Sequence, residues 1–486
     1  MRKILLSVLI IISSLTGYAQ SYDERIAAAM NTGDWFALDS IYNSAPHDSI
    51  MPFLEVFSRC LTGNRLNRPD ISVAAFGQLF NEHSEMLGLD NLLSSTIMFT
   101  TDLGRLGHHD QAAGVAGSVL ESTRQYLDSA WTESLEQCIS RHTALSACKP
   151  YGITFTESAG NIPFNIIPVG DDKHGAVLIH LDNSSINGKA ADITFDTGAG
   201  VNMISDSLAQ AYGLIPTEGY TTVAGVGTRK GRYAIAAEIK LGNITVCDVP
   251  FVVMDFKTGN AKADSYTDCY STIIGSELML QLKDITIDFV RREITIPAVA
   301  PERSATAPNM CFGRGMNLST KGSVMDYPVL MNIDTGDSSY GYLGPSFFEA
   351  RKDFILSEAR PDTVRRGGLG GVVESLCYTI DKGIPVCMGS HTADVSGLYV
   401  YTRPSAAAMD FGCNIGLKTL MMFDKIRFNL VDFVFSTYPQ NLTLFNSRHY
   451  DTPVFKYTKA KEPSILQTLG LIAVEITKLV LYPTAP

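Results

Sequence analysis

The stretch DITFDTGAG, residues 192–200, is an apolar, β-favouring run that ends on Asp196, Thr197 and Gly198. An acid followed by a hydroxyl and a glycine at the end of a strand is typical of a tight turn, or of one half of a two-carboxylate active site. Half of such a site does no chemistry. The interpretation therefore depends on whether the same chain carries the other half.

A second copy of this motif lies further along the chain. The stretch VLMNIDTGDSS, residues 329–339, is another apolar run, and it ends on Asp334, Thr335 and Gly336. One Asp-Thr-Gly arises by chance in roughly one chain in ten of this length. Two copies, each at the end of a strand-like run, therefore indicate a repeated element.

The residues after each copy repeat the same landmarks in the same order. In the first copy, a Gly-rich turn at Gly225 and an apolar segment ending on Gly275 follow the acid by 29 and 79 residues. In the second copy, Gly370 and Gly416 follow it by 36 and 82 residues. Each copy closes with two strand-like segments, DITIDFVRREITI (284–296) and DKIRFNLVDFVFS (424–436). The repeat predicts a duplicated β-lobe.

These motifs resemble the aspartic protease family of pepsins and retropepsins. The segment INGKAADITFDTGAGVNMIS (186–205) is similar to a retropepsin-type lobe, and the resemblance covers 165–297 better than 309–437. Pepsins carry two lobes in one chain, whereas retropepsins pair two chains, and the arrangement here resembles the former. The resemblance implies an all-β, two-lobed acid-protease fold with lobes at 151–300 and 309–440. It implies an aspartic-type endopeptidase acting on a peptide or protein substrate, with a monomeric catalytic unit.

The chemistry of the motif can be argued from the residues themselves. Two carboxylates within hydrogen-bond reach cannot both ionise easily, so they share one proton. The ionised group acts as general base on a water molecule, and the protonated group donates to the scissile carbonyl. We therefore predict Asp196 and Asp334 as the catalytic residues. No metal and no cofactor is indicated, and the adjacent His108 and His109 are interpreted as surface residues.

The residues around the two acids are predicted to support them. Gly198 and Gly336 allow a sharp turn and offer their N–H groups to the carboxylates. By resemblance to the family, Thr197 and Thr335 interlock the two loops. Glycines 275 and 416 resemble the family's structural element beneath the catalytic loop.

The Gly-rich hairpin 222–233 resembles the flap that closes over bound peptide in this family. Its residues Gly225, Val226 and Gly227 are predicted to bind the substrate main chain. An ordinary exposed hairpin is the alternative interpretation.

The chain departs from the pepsin pattern beside each acid. Ala199 and Asp337 stand where pepsins have a hydroxyl residue, which predicts a shared proton held to higher pH and an optimum near about pH 5–7. Asp337 is expected to point to solvent. The polar Asn414 before Gly416 makes the second lobe the weaker match, so two alternatives stay open. One is a non-catalytic peptide- or protein-binding protein, and the other is a homodimer that uses Asp196 alone.

The segment before the lobes has a different character. Residues 20–150 show apolar residues at three- and four-residue steps, which predicts an α-helical domain of tetratricopeptide-like hairpins. Such a domain could bind a protein partner or serve as a prodomain or spacer. A Pro- and Ala-containing stretch, 297–308, is interpreted as the linker between the lobes.

The two ends of the chain carry apolar segments. Residues 1–19 combine Arg2 and Lys3, a twelve-residue apolar run and small residues before Gln20, which predicts a cleaved signal peptide. The protein is therefore expected to be exported, to the periplasm, the outer surface or the medium. The C-terminal extension 441–486 contains an apolar stretch that we interpret as a packed or surface helix rather than a membrane span.

Composition limits the remaining classes of function. The chain has 486 residues with 45% hydrophobic and 18% charged, which is typical of ordered globular protein. A formal charge of -11 argues against a nucleic-acid partner, because phosphate binding requires an excess of Lys and Arg. Of the nine cysteines, Cys377 and Cys387 are the best candidates for a local disulfide, across a hairpin at 381–383.

Overall fold

The computed structural model describes most of the chain between residues 20 and 439. The described ranges are 20–169, 177–225, 227–257, 264, 270–369, 371–404 and 412–439. The predicted signal peptide, Val226 of the predicted flap, Gly370 and the C-terminal extension lie outside these ranges. Within them, no helix is both long and apolar enough to cross a membrane.

The region before the β-sheets is helical, as its sequence periodicity predicts. Its α-helices, within the described residues, are α1 (Tyr22–Thr32), α2 (Trp35–Ser44), α3 (Pro52–Arg65), α4 (Pro69–Glu82), α5 (Gly88–Arg105), α6 (His109–Thr123) and α7 (Ser129–Ser146). Ser21 caps α1 in a reciprocal pair with Glu24, and Asp128 caps α7. These caps satisfy N–H groups that have no partner within the helix. The tetratricopeptide-like arrangement stays a prediction.

Two apolar clusters hold the helices together. One is built around Leu38, Phe76 and Leu79, and a smaller one joins Leu93 to Leu120 and Leu135. Full burial of each such side chain contributes about 1.5–3 kcal/mol. The helical region is therefore stabilised by tertiary packing rather than by helix propensity alone.

The first β-region follows the helices. Its elements are β1 (Gly152–Phe155), β2 (Ala159–Pro168), β3 (Val177–Leu181), β4 (Ser184–Ile186), β5 (Lys189–Ala190), β6 (Ile193–Phe195), β7 (Met203–Ser205), α8 (Asp206–Tyr212), β8 (Ile215–Ala224), β9 (Thr228–Leu241), β10 (Ile244–Met254), β11 (Thr272–Ile274), α9 (Ser276–Leu282), β12 (Asp284–Asp288) and β13 (Glu293–Pro297). The strands are rich in Ile, Val and Phe, which favour a half-buried pleated surface.

The second β-region begins after the irregular stretch 298–309, which includes the predicted linker except for Pro297, the last residue of β13. Its elements are β14 (Met310–Phe312), β15 (Leu318–Val324), β16 (Tyr327–Asp334), β17 (Gly341–Leu343), α10 (Pro345–Ala350), α11 (Lys352–Glu358), β18 (Arg360–Gly368), β19 (Gly371–Ile380), β20 (Ile384–Met388), β21 (His391–Val395), β22 (Leu398–Tyr401), β23 (Cys413–Gly416), α12 (Leu417–Leu420), β24 (Lys425–Asn429) and β25 (Val434–Tyr438).

The two β-regions share one strand topology. Seven strands of the first follow the order β3-β6-β11-β7-β10-β9-β8, and seven of the second follow β15-β16-β23-β17-β22-β19-β18. The relative directions also agree, because β6–β11 and β16–β23 are parallel, as are β7–β10 and β17–β22, while the other neighbours are antiparallel. The repeated landmarks of the sequence thus correspond to repeated strands.

The two regions are joined by a shared sheet. Strand β24 of the second pairs antiparallel with β12 of the first, with Asp288 opposite Lys425. The Arg427 guanidinium donates to both carboxylate oxygens of Asp284, at 2.9 and 2.6 Å, and Lys425 Nζ lies 2.9 Å from Asp288. A single apolar core also continues from one region to the other. This joint fixes how the two regions face each other.

Helix α7 packs directly on the first β-region. The Gln137 amide exchanges two hydrogen bonds with Thr222 of β8, accepting from its N–H at 3.1 Å and donating to its hydroxyl at 3.0 Å. The Tyr220 N–H donates to Ser140 Oγ at 2.8 Å. Strand β8 is thus held along one edge by the helical region.

Two expectations outside the site are wrong. Cys377 and Cys387 are both free, because β19 pairs with β18 and β22 whereas β20 pairs with β15 and β21, so the two strands do not form a hairpin. His109 is buried rather than on the surface, and its Nδ1 lies 3.0 Å from His142 Nδ1 between α6 and α7. Burial lowers the pKa of His109 to about 4.

Candidate active site

The structure brings Asp196 and Asp334 together. Asp196 directly follows β6 and Asp334 is the last residue of β16, and their carboxyl groups lie within hydrogen-bond reach of each other. Each carboxylate also lies against the glycine of the opposite loop, since a Cβ at Gly198 would overlap Asp334 and one at Gly336 would overlap Asp196. Glycine is therefore required in both loops for the two acids to meet.

Backbone donors orient both carboxylates. The N–H of Gly198 donates to Asp196 Oδ1 at 2.8 Å, and the N–H of Gly336 donates to Asp334 Oδ1 at 3.0 Å. Asp334 Oδ1 accepts a further bond, at 2.9 Å, from the Asp337 N–H. The oxygens bonded in this way are held inside their own loops, which fixes the plane of each carboxylate.

Thr197 and Thr335 lock the two loops to each other. The N–H of each threonine donates to the hydroxyl of the other at 3.0 Å. Each hydroxyl then donates at 2.7 Å to a carbonyl of the opposite strand, Ile333 or Phe195. Both side chains are completely buried, so the arrangement ties the regions together immediately behind the acids.

Gly275 and Gly416 support the loops from below in equivalent ways. A Cβ at Gly275 would overlap the carbonyl of Ala199, and one at Gly416 would overlap the carbonyl of Asp337. The following residues donate to those same carbonyls at 2.8 Å, through the N–H of Ser276 and of Leu417. The close approach explains why both segments end on glycine.

The environment of the two acids favours retention of a proton. Burial raises the pKa of Asp196 to about 6, against the opposing effect of the Gly198 and Ala199 N–H groups. Burial and the neighbouring carboxylates of Asp196 and Asp337 raise the pKa of Asp334 well above its ordinary value. The pair is therefore suited to hold one proton under conditions in which isolated carboxyls would be ionised.

Asp337 does not point to solvent, contrary to the sequence-based expectation. Its carboxylate accepts from Arg366 at 2.8 Å, and its side chain is only 9% exposed. Ser339 donates to the other oxygen through its N–H at 3.0 Å and its hydroxyl at 2.6 Å. The guanidinium partner comes from β18, 29 residues away, so local sequence gave no signal of this contact.

Asn414 is a site residue that the sequence reasoning missed. Its Nδ2 group donates to Asp334 at 3.2 Å and to Asp337 at 2.8 Å, while its Oδ1 accepts from Asn332 at 2.6 Å. In the first copy the same position before the glycine is the apolar Ile273. That contrast was a usable signal, because a polar residue in a buried strand needs a polar partner.

Two hairpins meet above the acids rather than one. The first is formed by β8 and β9, and the second by β18 and β19. The N–H of Gly227 donates to the carbonyl of Leu369 at 3.0 Å, and Gly225 also lies against Leu369. Leu369 belongs to the same apolar cluster as Ala199, next to the first acid. The predicted flap thus has a counterpart that the sequence reasoning did not identify as a flap.

A further polar contact between the two β-regions comes from Tyr270, whose hydroxyl donates to the Gly336 carbonyl at 3.2 Å. Within the described parts of the chain, no group of three or more His, Cys, Asp or Glu side chains is arranged to hold a metal ion.

Comparison with known proteins agrees with the geometry of the first β-region. Residues 183–277 match a family model described as "Aspartyl protease". The matched segment contains Asp196, the hairpin of β8 and β9, and Gly275. Searches of curated proteins and of solved structures gave no match. The family match supports an aspartyl protease-like domain in this chain.

Proposed function

We propose that the protein is an exported aspartic endopeptidase, with Asp196 and Asp334 as its catalytic pair. The observation that carries the proposal is the approach of the two carboxyl groups, each oriented by backbone N–H groups and backed by the Thr197–Thr335 lock. Two independent strands deliver the acids to one point, which is the arrangement that a shared proton requires.

In the proposed reaction, a water molecule sits between the two carboxyl groups. The ionised carboxylate takes a proton from this water as the oxygen attacks the scissile carbonyl carbon. The protonated carboxyl donates its proton to the carbonyl oxygen, which gives a neutral tetrahedral diol. Collapse of the diol breaks the C–N bond, and the amine leaves with a proton returned by the pair.

We propose that the two β-regions are the two lobes of one catalytic unit. The common order and direction of seven strands in each region support a duplicated lobe. The contact between the hairpins at Gly227 and Leu369 supports a cover that closes over an extended peptide from both sides. Closure of this kind excludes water other than the attacking molecule.

The proposal extends to the helical region and to export. Helix α7 holds the edge of β8, which supports a role for the helical region in positioning the first hairpin, and through it the substrate or a protein partner. Export rests on residues 1–19. Sequencing the N-terminus of the mature protein from fractionated cells tests it, and a retained Met1 in the cytoplasmic fraction would contradict it.

Turnover of a mixed peptide library tests the catalytic proposal. We expect Asp196→Asn and Asp334→Asn each to lower turnover by at least about a thousandfold, because each removes a group that the proton transfers require. Asp192→Asn, an exposed carboxylate at the start of the same motif, is the matched control and should keep full activity. Full activity in Asp334→Asn would favour a homodimer that uses Asp196 alone. Peptide binding without cleavage by the wild type would overturn the enzyme assignment.

A further inference from the structure

The second hairpin is attached to the catalytic loop by a buried ion pair. Arg366 lies on β18, three residues before Leu369 at the hairpin tip. Its Nη2 donates to Asp337 Oδ2 at 2.8 Å, and the two side chains are 16% and 9% exposed. The guanidinium carbon also lies 4.5 Å from the ring centroid of Tyr342. A pair shielded to this degree is coupled far more strongly than an exposed surface pair.

The same ion pair is connected to Asp334. Each hydrogen of the Asn414 Nδ2 group goes to a different carboxylate, one to Asp334 and one to Asp337. The Asp337 N–H donates to Asp334 as well. The three side chains Asp337, Arg366 and Asn414, here called the latch, therefore form a continuous hydrogen-bonded path from the hairpin to the catalytic pair.

The place beside the first acid that corresponds to Asp337 is apolar. Ala199 occupies the position of Asp337, directly after the Asp-Thr-Gly motif. Val223 and Ala199 belong to one apolar cluster. The residue after the first Asp-Thr-Gly motif thus shares an apolar cluster with the first hairpin, whereas its counterpart Asp337 holds the second hairpin by an ion pair.

We propose that the latch is a positioning device, which holds the hairpin of β18 and β19 over the catalytic pair and sets the pH range in which that pair carries one proton. Its effect on turnover rests on the proposed function, whereas its effect on the hairpin and on the Asp334 carboxyl does not. The ion pair places one negative and one positive charge next to Asp334, so removal of either charge leaves the other uncompensated.

The groups that face the latch come from several elements. They are Asp196 and Asp334 on the opposed loops, Lys418 on α12, Tyr342 on β17, Cys377 on β19, and Tyr399 and Tyr401 on β22. Burial raises the pKa of the three tyrosines and of the Cys377 thiol, so these four groups stay neutral across the working range of pH. Lys418 lies near Asp337, and the charges of Asp337 and Arg366 act on Asp334 itself.

The pH dependence of kcat/KM separates this role from a merely structural one. Arg366→Met leaves the Asp337 carboxylate uncompensated, which should move both limbs of the profile to higher pH by about one unit. Asp337→Asn keeps an acceptor for Arg366 but leaves its positive charge uncompensated, which should move both limbs to lower pH by a similar amount. The double variant should return to the wild-type profile. Loss of activity in all variants with unshifted profiles would overturn the proposal.

The matched control lies on the same strand. Arg365 neighbours Arg366 but is 65% exposed, and it pairs with the exposed Glu374 at 3.4 Å. Arg365→Met should leave the profile unchanged. Arg366→Lys keeps the charge, so its profile should match the wild type even where its hairpin is held less firmly. A shift of equal size in Arg365→Met would mean that net charge, not the latch, sets the profile.

Two measurements on the full chain test the latch independently of catalytic turnover. Hydrogen–deuterium exchange of the 360–380 amides should be at least tenfold faster in Arg366→Met than in the wild type, with Arg365→Met unchanged. Titration of ¹³C-labelled aspartate carboxyls by NMR should show the same opposite shifts at Asp334 as the kinetic profiles. A wild type with no Asp196-dependent turnover would refute the proposed function alone. Unchanged exchange and unchanged titration would refute the latch alone.

Discussion

The hydroxyl of Thr197 accepts the N–H of Thr335 at 3.0 Å, and the hydroxyl of Thr335 accepts the N–H of Thr197 at the same distance. Each hydroxyl also donates to the residue that precedes the opposite acid, Ile333 or Phe195. Four buried backbone groups are therefore satisfied across the joint between the two β-regions. The same four hydrogen bonds therefore stabilise the joint between the two β-regions and position the two acids.

Removal of one hydroxyl should destabilise the whole β-domain. Thr335→Val keeps the shape of the side chain but leaves the Thr197 N–H and the Phe195 carbonyl without partners. Each buried unpaired group costs about 1–3 kcal/mol, so we expect a loss of about 2–5 kcal/mol in the free energy of unfolding. Urea denaturation measures this loss. Thr335→Ser retains the hydroxyl and should lose far less, and equal losses in both variants would show that the methyl group matters more than the lock.

The raised pKa of Asp196 predicts a stability that depends on pH. A carboxyl with a pKa of about 6 in the folded state and 3.8 in the unfolded state contributes fully below pH 3.8, and this contribution is lost as pH rises through 6. Asp196→Asn has no such group, so it should be more stable than the wild type by about 1–3 kcal/mol at pH 7 and not at pH 3.5. Urea denaturation at both values tests this. The exposed Asp192→Asn should show no such difference, and a gain for Asp196→Asn that is independent of pH would contradict the explanation.

The side-chain amide of Asn414 should contribute to turnover, although Asn414 lies in a buried strand. Asn414→Ile introduces the residue found at the equivalent place in the first copy, and it removes the donor shared by Asp334 and Asp337. We expect kcat/KM to fall by about 10–100-fold, because two carboxylates then face each other without a bridge. Asn165→Leu, which removes an exposed Asn–Asp pair with Asp182, is the control. Unchanged kcat/KM in Asn414→Ile would remove Asn414 from the site.

Helix α7 should affect substrate binding through the first hairpin. Gln137→Ala removes both hydrogen bonds to Thr222 of β8. Since the acids are untouched, we expect KM to rise by about 3–10-fold with little change in kcat. Steady-state kinetics on one defined peptide measures the split. Gln78→Ala, on α4 and remote from the hairpin, should change neither constant. A fall in kcat alone would contradict a role in hairpin positioning.

Most of the scaffold could be predicted because its signals are local. The 3.6-residue periodicity of the N-terminal region predicts helices, and the structure confirms them. The repeated order of Asp-Thr-Gly, Gly-rich turn and apolar-Gly segment corresponds to repeated strands, since each landmark marks the end of a strand or a point of close backbone approach. The match of 183–277 to an aspartyl protease model falls on the copy that the sequence indicated as the better preserved.

Local sequence signals identify the residues that end two equivalent strands, and therefore show that the motif of an acid, a hydroxyl and a glycine occurs twice. These properties depend on neighbours within a few residues, so they can be predicted from composition and spacing. The direction of the Asp337 side chain, the partners of Asn414 and the hairpins near the acids follow from long-range contacts instead. These features depend on Arg366 and Leu369, which reach the site from a hairpin about 30 residues further along the chain. A buried polar group is stable only where folding brings it a hydrogen-bond partner. The residues next to it in the sequence do not indicate which partner that is.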